Sequence, residues 1–259
     1  MDIEGDIEIV TEAEAQGDFH VLLTSVDRET VLPFAQRRDA LPTYADGPEW
    51  AIRALTDLHP GGLFDLTIVL CDKPDRLPDC RKLAIALQHR RETVILVAPP
   101  EVIDDSSRPD EILTVVVPDA DLVSHVAPLA HTLLAGVLNR GLVCVDWADI
   151  LTVISDGSRA TLLTATGQSA AAAIRNLAEQ VEQMGGGQFF GVSAALYTTK
   201  AAKMTDYSTF LDVFCPRIHP AAFRVLTVPV HSGEETVACA LVLTAPSKRF
   251  LASSTVTSI

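Results

Sequence analysis

Four short runs of β-branched and aliphatic residues, separated by stretches of helical spacing, constrain this chain more than any other feature. Phe19–Val26, Leu66–Cys71, Thr93–Val97 and Ile112–Val117 are apolar almost throughout. Strands of that length without polar alternation have both faces buried, which calls for helices on either side of a parallel sheet. The intervening stretches supply such helices. Pro48–Leu58 places proline at a first helical turn and carries Trp50, Ile52, Ala54, Leu55 and Leu58. Asp79–Arg90 carries Leu83, Ile85, Ala86 and Leu87. This strand–helix–strand order predicts an α/β fold over residues 19–121.

Asp121–Gly141 follows and is apolar on nearly every side from Pro128 to Leu138, so a helix covered all round is expected there. Pro128 suits its first turn, and Gly141 suits its stop. Beyond it the texture changes to α+β. Asp146–Ile154 is apolar at Trp147, Ile150, Leu151 and Ile154, which is helical spacing, and an Asp156-Gly157 turn leads to a strand over Arg159–Thr166. Ser169–Met184 reads as an alanine-rich helix with Glu179 and Glu182 outward, and Gly185–Gly187 turns the chain into a strand over Gln188–Tyr197. Leu226–Val230 and Glu235–Thr244 read as a closing hairpin around His231–Glu234. The expected organisation is an acidic tail over 1–18, an N-terminal domain over 19–121, a central helix over 122–142, a C-terminal domain over 143–247 and a polar tail over 248–259.

Composition removes several classes of partner. Twenty basic residues against thirty-four acidic ones give a net charge of −14. Such a balance argues against nucleic acid, which needs clustered Lys and Arg, and against docking on anionic lipid. Asp2, Glu4, Asp6, Glu8, Glu12, Glu14 and Asp18 crowd the first eighteen residues, a composition for a solvated tail. That acidic opening is the opposite of a leader peptide, and no apolar run reaches the roughly 18 residues of a membrane span. Cys71, Cys80, Cys144, Cys215 and Cys239 are odd in number and form no close pairs in sequence, so buried free thiols in the cytoplasm are expected.

The most informative stretch is Gly141-Leu142-Val143-Cys144-Val145-Asp146-Trp147-Ala148-Asp149-Ile150. Asp146 and Asp149 stand three residues apart at a helix start, on one face, where capping alone would account for them. In its wider setting the stretch resembles the FtsZ/tubulin superfamily, whose bacterial members carry G-L-I-N-V-D-F-A-D after a long buried central helix. The resemblance runs through Ala160–Thr166 and Gly167-Gln168-Ser169 into the alanine-rich helix. Val21–Asp27 resembles the family's F-I-A-V-N-T-D strand, and Val115–Asp119 its I-V-I-P-N-D. Gly191–Tyr197, Ala222–Val230 and Thr236–Thr244 resemble its later strands, so about residues 19–245 are covered. The fold it implies is a trimmed Rossmann-like N-terminal domain, a buried central helix and an α+β C-terminal domain.

The departures bear on function. Members of the family bind GTP through a G-G-G-T-G-T-G loop, whose glycines let backbone N–H groups cradle phosphates. After the matching strand this chain reads Cys71-Asp72-Lys73-Pro74-Asp75-Arg76-Leu77-Pro78-Asp79-Cys80, with no glycine, two prolines and three aspartates. The family's first strand and its G-x-G-G-x-G-x-N loop have no match either, and Cys144 replaces the asparagine of the carboxylate motif. No cofactor is therefore expected, GTP included, and no metal. Gly61-Gly62 precedes a strand and Gly185–Gly187 follows a helix, so neither has the context of a phosphate loop. His125 and His131 flank the buried helix and read as core or hinge residues. Asp206, Tyr207 and Asp212 read as a solvated helix face.

In the family the carboxylates matching Asp146 and Asp149 act in trans, helping to position the attacking water on the next subunit's GTP. The resemblance thus implies a pseudo-GTPase, with Asp146 and Asp149 as a trans-acting pair, assembling with an FtsZ/tubulin-like protein or with itself. Two other functions stay open at this point: a GTPase with a rebuilt pocket, and a nucleotide-independent scaffold subunit.

Overall fold

The computed structural model describes residues 19–37, 41–42, 48–54, 64–89, 93–103, 112–138, 145–184, 189–197, 203–228, 236–248 and 250–251. The acidic tail, both glycine clusters, Cys144 and the boundary expected near residue 142 lie outside them. One nine-stranded sheet runs through the described residues in the order β2-β1-β3-β4-β5-β6-β9-β7-β8. Its first half is parallel: β2 (Glu49–Ala54), β1 (His20–Ser25), β3 (Leu66–Leu70), β4 (Val94–Ala98), β5 (Leu113–Val116) and the start of β6 (Gly157–Gly167). β9 (Thr236–Pro246) is antiparallel to both β6 and β7 (Phe189–Tyr197), and β8 (Ile218–Thr227) closes the sheet parallel to β7.

The helices cover both faces as the buried strands require. α1 (Arg28–Gln36), α3 (Leu122–Leu138) and α4 (Trp147–Asp156) share the core built on Val21, Leu23, Ile68, Ile95 and Val115. α2 (Leu77–Gln88) covers Val69, Val94 and Leu96 on the opposite face. α5 (Ala170–Gln183) and α6 (Met204–Phe214) cover Val192, Ala194, Ala240 and Val242, beneath a core centred on Phe210 and Phe214. Alternation along β9 shows the two-sided burial: Leu241 and Leu243 belong to the first core, Ala240 and Val242 to the second. α5 is capped by Ser169, whose hydroxyl accepts the Ala172 N–H, and Glu179 and Glu182 are exposed as expected.

Four local expectations are corrected. Pro48–Leu58 is no helix where it is described: Glu49–Ala54 is strand β2, pairing with β1 from His20↔Glu49 to Ser25↔Ala54. Trp50, Ile52 and Ala54 satisfy a period of 2 as well as a helical one, and the edge of the parallel sheet takes the strand. Pro48, lacking an N–H, precedes an edge strand, where no ladder bond is lost.

Pro128 lies well inside α3, six residues after its start, instead of in the first turn. Leu122 and Val126 upstream of it are buried, and their burial outweighs the hydrogen bond that proline removes. Asp156-Gly157 is not a separate turn, because α4 passes directly into β6. Gly157 is extended, and a Cβ there would lie 2.6 Å from Leu243 Cδ2. Lastly, β8 and β9 are not a hairpin, since β7 lies between them. β9 is buried on both faces from Ala238 to Leu243 and needs a central place, whereas His219, Pro220 and Arg224 suit β8 to an edge.

Candidate functional site

Strand order reverses around β1: the chain leaves it for β2 on one side and for β3 on the other. In a doubly wound sheet the crevice beyond the carboxyl ends of such neighbouring strands is where ligands bind. Here α1 and α2, on opposite faces, flank that crevice. The turn after β1 meets the loop after β3, residues 71–76, which ends in a 3-10 turn over Pro74–Arg76.

Side chains of the turns on either side meet at the mouth of this crevice. Asp27 caps α1, its Oδ1 accepting the Glu29 N–H at 3.0 Å. Its Oδ2 lies 3.4 Å from Lys73 Nζ, which also reaches Glu29 Oε2 at 3.5 Å. The Thr30 hydroxyl donates to Asp72 Oδ1 at 3.0 Å, and Arg76 lies 3.9 Å from Asp75. Both cations of the loop thus face carboxylates of their own surroundings. Several backbone positions of the turn are also committed or lack a donor. Pro74 and Pro78 have no N–H, while the Arg76 and Leu77 N–H groups donate to Lys73 O and Pro74 O.

The Glu29 N–H holds the Asp27 carboxyl below the ordinary carboxylate range against an opposing burial cost, with Lys73 assisting, and Asp27 holds the Lys73 ammonium above its usual range. A carboxyl whose folded pKa is depressed stabilises the fold above its unfolded value and loses that contribution as pH falls through the folded one. The advantage of wild type over Asp27→Asn, which keeps a capping oxygen, is therefore expected to be present at neutral pH and to vanish on acidification below the ordinary Asp range. Melting temperatures of the two proteins across that pH range check it, and a constant difference down to the lowest pH would sink it.

The pair Asp146 and Asp149 lies at the other end of the sheet. Asp146 Oδ1 accepts the Asp149 N–H at 2.9 Å, and Asp149 Oδ2 accepts the Asp146 N–H at 3.1 Å, a reciprocal capping box on α4. One oxygen of each carboxylate takes part. Asp146 is exposed and Asp149 half-buried. The Trp147 ring packs edge-on against Phe19 at 4.9 Å, which fixes this corner beside the amino end of β1. The crevice lies beyond its carboxyl end, a strand length of about 20 Å away. At the amino end His20 also stands between Glu49 (3.6 Å) and Asp65 (3.8 Å). That cluster, like the Asp27–Lys73 contact, joins residues distant in sequence and has no signal in it.

The remaining sequence-predicted residues are placed as follows. His125 Nε2 is 2.9 Å from Asp119 Oδ1 in the β5–α3 turn, and that contact holds the Asp119 carboxyl low. The His131 ring lies tilted against Tyr197, with centroids 4.1 Å apart. Asp206 accepts the Lys203 N–H at 3.0 Å and Asp212 is exposed, but Tyr207 packs against the second core instead of lying on a solvated face. Cys71, Cys80 and Cys239 are buried free thiols, and Cys215 is partly exposed. Cys71 and Cys80 belong to the same core cluster beneath α2. Among the described residues, no group of three or more His, Cys, Asp or Glu is arranged to hold a metal ion, and no helix is long and apolar enough to cross a membrane.

Known structures share this arrangement. FtsZ from M. jannaschii superposes with a TM-score of 0.60 at 13% identity, covering 88% of this chain and 91% of that one. This chain has the FtsZ/tubulin-like fold. CetZ from Methanosaeta thermophila superposes with a TM-score of 0.57 at 13% identity, covering 90% of this chain and 88% of its own. TubZ from Bacillus thuringiensis serovar israelensis gives 0.53 at 9% identity, with coverages of 91% and 86%. No family model and no curated protein matches the sequence. The FtsZ-like likeness is thus one of fold, carried by the nine-stranded sheet and its helices.

Proposed function

We propose that this chain is an FtsZ-like pseudo-GTPase of the cytoplasm, which assembles end-on with an FtsZ/tubulin-like partner and presents Asp146 and Asp149 to it. The observation that supports the reading is the turn at the switch point: it is proline-broken, lacks glycine and is tied to α1 by Thr30–Asp72 and Lys73–Asp27. Two further points support it. The solved relatives include an FtsZ dimer and TubZ in GDP-form protofilaments. The Asp146–Asp149 corner also lies at the end of the sheet opposite the crevice, as a trans-acting face requires. Phosphoryl transfer depends on positioning and electrostatics, so two carboxylates with an oxygen each outside the capping box are suited to orienting water on a neighbour's nucleotide.

Titration of fluorescent GTP with magnesium tests the first half, together with chromatography of nucleotide released on denaturation. The expected result is no released nucleotide and no saturable signal up to about 100 µM protein, a limit of about −5.5 kcal/mol. Saturable micromolar binding or co-purified GDP would overturn the reading in favour of a rebuilt GTPase pocket. The second half is tested by GTP turnover of an FtsZ-like partner. Asp146→Asn with Asp149→Asn keeps capping oxygens but removes both charges, and is expected to abolish stimulation of that turnover. Undiminished stimulation by the double variant would end the trans-acting role.

A further inference from the structure

The turn at the switch point hides two sulfurs. Cys71 is the first residue after β3 and Cys80 lies in the first turn of α2, which folds back along that strand. Both are fully buried among Val69, Leu77, Ala84 and Leu96. Cys71 Sγ is 3.4 Å from the Lys73 carbonyl and Cys80 Sγ is 3.6 Å from the Leu70 carbonyl. Leu70 adjoins Cys71, so the Cys80 sulfur rests against the peptide that leads into Cys71. Neither is committed to a disulfide.

We propose that Cys71 and Cys80 form a redox modification site, a dithiol that a low-molecular-weight disulfide converts into an intramolecular bond tying the end of β3 to the start of α2. The two sulfurs are unequal partners. Cys80 stands in the first turn of α2, where a helix N-terminus favours a thiolate, and Cys71 draws its thiol below the ordinary range against the cost of burial, while contact with Cys80 and burial push Cys71 up. Cys80 is accordingly the attacking thiolate. It displaces one thiolate from the small disulfide and becomes a mixed disulfide. Cys71 gives up its proton and attacks Cys80 Sγ, expelling the second small thiolate. Two protein thiols and one small disulfide become one protein disulfide and two small thiols, so atoms and electrons balance.

Access runs through the turn above the sulfurs. Pro74, Asp75, Arg76, Pro78 and Asp79 are exposed, and side-chain contacts of Asp72 and Lys73 tie the turn to α1. Reaction requires this turn to open locally without unfolding of the sheet. Once formed, the bond fixes the turn in its closed position.

The full-length protein is incubated with oxidised glutathione, quenched with acid, denatured with alkylating agent and mapped by peptide mass. The expected product is a Cys71–Cys80-linked species about 2 Da lighter than the reduced chain, with two fewer alkylated thiols, and dithiothreitol reverses it. Alkylation of all five cysteines, or linkage of Cys80 to another cysteine, would overturn the proposal. Cys71→Ser leaves the attacking sulfur without its resolving partner, so Cys80 is expected to keep a glutathione adduct of about 305 Da. Cys71→Ala replaces it should the serine chain fail to fold. No adduct on a folded variant would equally overturn the assignment.

Discussion

Gly136→Ala is expected to lower the melting temperature by about 6 °C, a cost of about 2 kcal/mol in a chain of this length. In a free helix the same change would stabilise, by about 1 kcal/mol of propensity. The sign reverses because α3 meets β8 at this residue. A Cβ on Gly136 would stand 2.3 Å from Thr227 Cγ2, 3.0 Å from Thr227 Cβ and 3.3 Å from Val145 Cβ. Thr227 is buried and β-branched, and its hydroxyl donates to Ala194 O at 3.4 Å, so it cannot swing aside without losing that bond. The helix must lift off the sheet, and overpacking of this kind costs about 3 kcal/mol. Thr227→Ser removes the nearest obstructing atom. Gly136→Ala made in that background should recover at least half of the loss, as thermal unfolding followed by circular dichroism would read. An equal loss in both backgrounds would mean that the two residues do not meet.

Phe210→Ala is expected to cost more, about 4 kcal/mol, because it empties the centre of the second core. Phe210 and Phe214 are both fully buried and pack edge-on at 5.8 Å, one turn apart on α6. Around them lie Ile174 and Leu177 of α5 and Leu196 and Leu226 of the sheet, a close-packed setting that collapses little around a void. This cluster is separate from the one beneath α2. Amide exchange should therefore quicken most in α5 and α6 and least in α2. A uniform loss of protection would show instead that the sheet unfolds as one unit and that the two cores do not act independently.

The central strands were legible because burial on both faces leaves no polar positions: Leu66–Leu70 and Val94–Ala98 could be little else. The carboxylate pair was legible for a similar local reason, since a spacing of three at a helix start dictates the capping box that Asp146 and Asp149 form. Edges were harder to read. Trp50, Ile52 and Ala54 fit two periods at once, and only the need of β1 for a neighbour decides between them. The place of β9 follows from a comparison of two strands, the buried Ala238–Leu243 against the polar and proline-bearing β8, rather than from their nearness in sequence. The contacts that shape the crevice were beyond local reading. Asp27 meets Lys73 and Thr30 meets Asp72 across more than forty residues, and Cys80 finds Cys71 only because α2 doubles back along β3.

Among the described side chains of the two sites, carboxylates outnumber cations at both ends of the sheet. Asp27, Glu29, Asp72 and Asp75 lie about Lys73 and Arg76 at the carboxyl end, while at the amino end Glu49 and Asp65 flank His20 and Asp146 and Asp149 cap α4. Stacking one copy upon another would bring acid against acid, a repulsion that salt screens over about 10 Å at 0.1 M. A partner with a basic or nucleotide-occupied face would meet no such opposition. Under the proposed end-on assembly, acid at both ends is expected to favour an unlike partner over a second copy of this chain, a preference that should fade as salt is added.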